Sequence, residues 1–161
     1  MNWLGQLIQE EVSKEDMVIS FGCGILQEIE GIKCKSFKGI DIYEPYINQL
    51  KQKGYDVDCK DITKVEYPEN SFDIVLALDI LEHLKYEELD EILNNVSISG
   101  NKFLFSIPFE GDPNLEADPT HIIKEDKEWW IEKLSKYFKM KDAPNDWLFH
   151  EQILIGEKND K

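Results

Sequence analysis

Gly22 and Gly24 follow directly on the apolar run Met17-Val18-Ile19-Ser20-Phe21, and Asp41 stands seventeen residues beyond Gly24, at the end of a second apolar run. Glycines in that place let the chain turn tightly and come close to a ligand, because neither carries a Cβ that would clash or restrict φ. A carboxylate at the end of the next run can accept hydrogen bonds from both hydroxyls of a ribose. The glycine pair alone fits an ordinary strand-to-helix turn equally well; with Asp41 it points to a nucleoside. Asp61 and Asp79 close two later runs in the same way. There is no G-x-x-x-x-G-K-[ST] phosphate loop, and Leu26 or Gln27 stands where a dinucleotide fold would carry a third glycine. Acidic run ends at Asp41, Asp61 and Asp79 repel a pyrophosphate and suit a ligand with cationic groups. The expected ligand is therefore a phosphate-free nucleoside.

Two histidines are candidates for proton transfer, since imidazole titrates near neutrality. His83 lies in Leu81-Glu82-His83-Leu84, where a bracing role at a helix start competes with catalysis; His121 ends the polar stretch 109–121, placed to face a substrate. Neither has metal-ligand spacing with another His, Cys or acid, so no metal site is expected. Cys23, Cys34 and Cys59 are odd in number and lack C-x-x-C spacing, which argues against a disulfide framework and a zinc site alike. Asp61 and Asp79 each have a competing role as a turn or helix cap.

Hydrophobic periodicity supplies the elements that must position these residues. Helical spacing from Trp3 to Val12 precedes strand 17–21. Ile25, Leu26, Ile29 and Ile32 predict a brief helix, followed by strand 37–41. Pro45 opens a helix carrying Tyr46, Ile47 and Leu50, because proline's missing N–H costs nothing in a first turn. A short strand at 55–58 comes next, then Phe72 to Leu78, the strongest buried-strand signal and the expected centre of the sheet. Leu89, Ile92, Leu93 and Val96 at i, i+3, i+4 and i+7 define a helix before strand 102–107. The stretch 109–121, with Gly111, Pro113 and Pro119, reads as an irregular lid with little apolar surface to anchor it. Trp130, Leu134 and Phe138 predict a helix, with Trp129 and Trp130 packing rather than forming a substrate cage, and 138–141 and 148–156 are strand candidates. This alternation implies an α/β fold: a mostly parallel sheet with helices on both faces.

Bulk properties narrow the function classes. One domain over residues 1–161 is the expected organisation. A formal net charge of −15 opposes nucleic-acid binding, which draws its affinity from cationic neutralisation of phosphate. No apolar stretch is long enough to span a bilayer, and no secretory signal opens the chain, so a cytoplasmic address and no membrane partner are expected.

The combination resembles the class I S-adenosylmethionine-dependent methyltransferases over residues 17–107. Val18 to Gly24 is similar to their first motif, Gly39-Ile40-Asp41-Ile42 to their second, Asp58 to Ile62 with Pro68 to Asn70 to their third, and Phe72 to Leu76 leading into Asp79 to Leu84 to their fourth. The resemblance implies a Rossmann-like seven-stranded sheet with an antiparallel last strand, S-adenosylmethionine as cofactor, and methyl transfer to a small-molecule acceptor. It implies that Gly22, Cys23 and Gly24 line the methionine moiety, Asp41 binds ribose, Ile42 covers the adenine face, Asp61 and Ile62 meet the adenine edge, and Asp79 lies near the methionine end. The chain departs from the pattern at Ser20, usually acidic, and Leu26, usually glycine. Those departures keep open a non-catalytic nucleoside-binding module; a nicotinamide-dependent oxidoreductase is disfavoured by the missing third glycine.

Overall fold

The computed structural model describes residues 3–27, 29–141 and 153–159. Strands β1 (Met17–Phe21), β2 (Ser36–Asp41), β3 (Val57–Cys59), β4 (Phe72–Leu78), β5 (Gly100–Ser106), β6 (Phe138–Lys141) and β7 (Ile153–Lys158) form one sheet in the order β3-β2-β1-β4-β5-β7-β6. The first five run parallel; β7 is antiparallel to both β5 and β6. The expected last-strand reversal is thus present, and β7 begins at Ile153, the earlier part of the 148–156 candidate lying outside the described residues.

Alternation along the strands divides the core in two, because successive side chains point to opposite faces. Val18, Ile74, Leu76 and Leu104 pack with Leu4, Leu7 and Ile8 of α1 (Trp3–Glu11) and with Ile47 and Leu50 of α2 (Glu44–Gln52). Ile19, Val75, Ala77, Phe103 and Phe105 face the other way, against Leu89, Ile92, Leu93 and Val96 of α3 (Tyr86–Ser99) and Trp130 and Leu134 of α5 (Lys127–Ser135). Trp130 is wholly buried, as its packing role requires.

Three expectations are corrected. Between β1 and β2 the described residues form turns, not a helix: Leu26 has φ +60° and Gly31 +89°, and left-handed residues interrupt right-handed winding. Leu26 keeps the backbone conformation that glycine adopts freely, and its buried side chain offsets a strain of about 1–2 kcal/mol. Phe138 lies in β6 rather than on α5; it shares one core face with Trp130 and Leu134, so the i, i+4, i+8 spacing registered a common cluster and not a continuous helix. The segment after β5 is neither irregular throughout nor unanchored. It contains α4 (Pro113–Ala117), capped by the Asp112 carboxylate, which accepts from the Asn114 N–H, and it buries Leu115, Phe109 and Ile123. The Ile122 and Ile123 N–H groups both donate to the Glu82 carbonyl (2.8 and 3.0 Å), and Glu110 N–H donates to the Glu125 carbonyl, closing the segment into a compact loop.

Candidate functional site

Strand order reverses between β1 and β4, since the chain moves outward through β2 and β3 before returning to β4. A crevice opens at such a point beyond the carboxyl ends of the strands. Gly22 follows β1 there with φ +66°, and a Cβ built on it would lie 2.6 Å from Ile80, just past β4. Only glycine lets these two strand ends approach so closely. Asp41 braces the same turn: one carboxylate oxygen accepts the Gly24 N–H and the other the Tyr43 N–H, both at 2.8 Å. Each oxygen has a second lone-pair site left for a ribose hydroxyl.

A cavity of about 240 Å³ occupies this crevice, with Gly22, Asp41, Ile42, Asp61, Ile62 and Ile80 in its wall. Ile42 is 69% exposed beside it, which costs hydrophobic free energy that an aromatic base covering the side chain recovers. Asp61 does what its capping alternative foresaw. It accepts from the Thr63 N–H (2.9 Å) and hydroxyl (2.7 Å), and these bonds hold its carboxyl below the usual range while it still borders the cavity. Cys23 and Gly24 do not border the cavity. The Cys23 side chain is buried beside Gly39, its N–H donates to the Ile40 carbonyl (2.9 Å), and burial, then Asp41, push its thiol up to about 12, leaving it unreactive. Ile80, Lys60, Thr63 and Leu84 also border the cavity and were not foreseen. After Gly24 the described residues form turns rather than a helix.

His83 belongs to this cavity and to a second, larger one of about 490 Å³ lined by Asp79, Glu82, Asn114, Asp118 and His121. Asp79 therefore borders the second cavity rather than the first. It has φ +49°, accepts the Ser106 hydroxyl at 2.8 Å and donates its N–H to the Ser106 carbonyl, tying the end of β4 to the end of β5. The loop after β5 folds back so that the His83 and His121 rings meet edge-on with centroids 4.6 Å apart.

Hydrogen bonding assigns the proton on each ring. Thr120 has one hydroxyl proton and donates it to Asp118 (2.6 Å), so at 2.9 Å from His83 Nδ1 it can only accept. His121 Nδ1 lies 3.0 Å from the Leu115 carbonyl, which likewise only accepts. In the neutral form each ring therefore carries its proton on Nδ1 and leaves a lone pair on Nε2. Burial, and then His121, lower the His83 pKa, while the Thr120 bonds lower that of Asp118. Between them sits Glu82, wholly buried, with neither carboxylate oxygen hydrogen-bonded. Its nearest ion-pair contact, His121 Nε2 at 3.8 Å, is too long for a hydrogen bond. Burial, partly opposed by the residue's own backbone N–H and reinforced by Asp79 and Asp118, pushes the Glu82 carboxyl up to about 8. One donor atom from each of Glu82, His83 and His121 falls within 4.8 Å of the others. Sequence spacing had offered no metal-ligand grouping; the return of the loop creates one.

Residues 19–97 match the family described as the methyltransferase domain. An uncharacterized protein of Methanocaldococcus jannaschii is 30% identical over 108 residues, 59% of this chain and 48% of that protein, so the matched region spans about half the relative's length. The fold is similar to a TehB-like SAM-dependent methyltransferase from Corynebacterium glutamicum (TM-score 0.73, 14% identity, 97% of this chain and 87% of that one). It is also similar to magnesium protoporphyrin IX methyltransferase from Synechocystis with bound SAM (TM-score 0.68, 15% identity, 97% and 76%).

Proposed function

With residues 19–97 in the methyltransferase-domain family and a class I S-adenosylmethionine-dependent methyltransferase fold around them, we propose that this chain methylates a small-molecule acceptor on an oxygen or nitrogen atom. The observation that carries the reading is His83, which walls both the nucleoside-shaped cavity and the acid- and imidazole-lined one. The two cavities share this side chain and are therefore adjacent, which puts ligands bound in them side by side.

The residues present fit adenosine: a turn at Gly22 that leaves no room for a Cβ, free lone-pair sites on Asp41, and an exposed apolar face at Ile42. S-adenosylmethionine, when bound, supplies an electrophilic methyl group on a sulfonium. Everything else asked of the chain is alignment, which is worth several kcal/mol of the barrier when two reactants are held in line. Asp79, Asp118 and the Nε2 lone pairs of His83 and His121 accept hydrogen bonds, so the second cavity favours an acceptor that presents O–H or N–H groups. The Ile122 and Ile123 N–H groups, tied to the Glu82 carbonyl, hold the loop at this side of the cavity.

Calorimetric titration with S-adenosylmethionine and S-adenosylhomocysteine tests the reading. Saturable one-to-one binding of both, with no binding of a nicotinamide dinucleotide, is expected. A folded protein that binds neither would sink it.

A further inference from the structure

Glu82 is the one carboxyl among the described residues with both oxygens buried and neither hydrogen-bonded. A carboxyl with no exposed surface and no hydrogen-bond partner on either oxygen costs about 1–3 kcal/mol, and such a group in a native fold calls for a missing partner. The space such a partner would occupy is the cavity that Glu82 lines with His83 and His121.

We propose that Glu82, His83 and His121 form a binding site for one divalent first-row transition-metal ion, in the cavity next to the nucleoside crevice.

Three features of the geometry support it. The donor atoms already lie within 4.8 Å of one another, and bonds of about 2.1 Å to a common ion need only a short inward movement of side chains. Both imidazoles are set up as ligands. Each spends its Nδ1 proton on a fixed acceptor, the Thr120 hydroxyl or the Leu115 carbonyl, so each offers Nε2 as a lone pair; this is how metal-binding histidines are usually oriented. Asp118 extends one of these relays, accepting from the Thr120 hydroxyl (2.6 Å) and N–H (2.8 Å), which holds Thr120 as the acceptor for His83. No comparable arrangement is needed to pack two histidines against each other.

The donor set also selects the ion. Two imidazoles and one carboxylate suit Mn²⁺, Fe²⁺, Co²⁺, Ni²⁺ or Zn²⁺, whereas Mg²⁺ and Ca²⁺ prefer oxygen ligands and water. Three protein ligands leave coordination positions open toward a cavity of about 490 Å³ that also holds Asp79 and Asp118. An acceptor oxygen could enter there, a link that rests on the methyl-transfer reading; the metal site does not depend on it.

The test uses the full chain stripped with a chelator and titrated with Mn²⁺, free ion being followed by electron paramagnetic resonance, with Co²⁺ absorption as a second probe. S-adenosylhomocysteine affinity is measured on the same samples. One Mn²⁺ per chain is expected. Glu82→Gln and His121→Ala should each weaken it at least tenfold, and Thr120→Val, which removes the acceptor for His83 together with the hydroxyl bond to Asp118, should weaken it several-fold. All three should keep S-adenosylhomocysteine affinity within about twofold, which establishes that they fold. The proposal is overturned if neither Mn²⁺ nor Co²⁺ binds the folded parent, or if Glu82→Gln binds them as well as the parent does. Metal binding that follows this pattern in a protein that never binds S-adenosylhomocysteine would support the site and defeat the methyl-transfer reading instead.

Discussion

The two cavities are neighbours built on different principles. The crevice proposed to take the nucleoside is made from the ends of strands β1 to β4, so each of its parts is fixed by the residues beside it in sequence: Gly22 after β1, Asp41 closing β2, Asp61 after β3. The second cavity depends on a return. His121 is brought to His83 by a loop that leaves β5, turns through α4 and is stitched back at the Glu82 carbonyl. Local construction tolerates the loss of a distant contact, whereas construction by return fails when its anchor fails. The crevice should therefore bind its ligand independently of the loop, and the loop's cavity should collapse without disturbing the crevice.

Gly22→Ala should break the crevice most severely. Left-handed strain and a Cβ 2.6 Å from Ile80 together cost about 2–5 kcal/mol, and S-adenosylhomocysteine binding should fall below detection in calorimetry. Gly24→Ala sharpens the cause: it too has positive φ (+52°) but meets nothing within 4 Å, so denaturation should show only the strain of about 1–2 kcal/mol. Gly24→Ala as damaging as Gly22→Ala would mean that the contact with Ile80 is irrelevant.

Leu115→Ala attacks the other region at its anchor. Truncating a fully buried leucine costs about 2–5 kcal/mol, and here the loss should be local, with hydrogen exchange rising across residues 109–123. S-adenosylhomocysteine affinity should stay within about twofold, because none of the residues lining the crevice belongs to that loop. Equal loss of cofactor binding would show that the two cavities are one cooperative unit.

Asp41→Ala should weaken S-adenosylhomocysteine by about 1.5–3 kcal/mol through loss of charge-assisted hydrogen bonds. An unchanged dissociation constant would remove the ribose assignment. The smallest ground-state effect belongs to His121→Ala, which should lower turnover at least tenfold while leaving cofactor affinity within about twofold, since a contact made chiefly near the transition state alters rate rather than binding. Turnover equal to the parent would make His121 a packing residue of the loop.

Much of the fold was legible in the sequence because period and burial agreed. The buried face of α3 is Leu89, Ile92, Leu93 and Val96 as the spacing predicts, and β4 lies in the middle of the sheet as its unbroken apolar run predicts. Legibility failed where one pattern had two causes. Phe138 continued the helical spacing of Trp130 and Leu134 because strand β6 packs on the same cluster. The apolar residues after Gly24 had helical spacing, but Leu26 and Gly31 adopt positive φ, and spacing does not report backbone handedness.

The sequence by itself determined the strand–helix alternation, the glycine–aspartate pair at the strand ends and the ligand class they favour, since each follows from patterns within one apolar run or between two consecutive ones. Only the tertiary structure decided that Glu82 is buried without a partner, that Asp79 borders the second cavity, and that His121 meets His83. The physical reason is that burial and convergence are properties of the packed chain: 37 residues separate Thr120 from His83, and only the fold brings them to 2.9 Å.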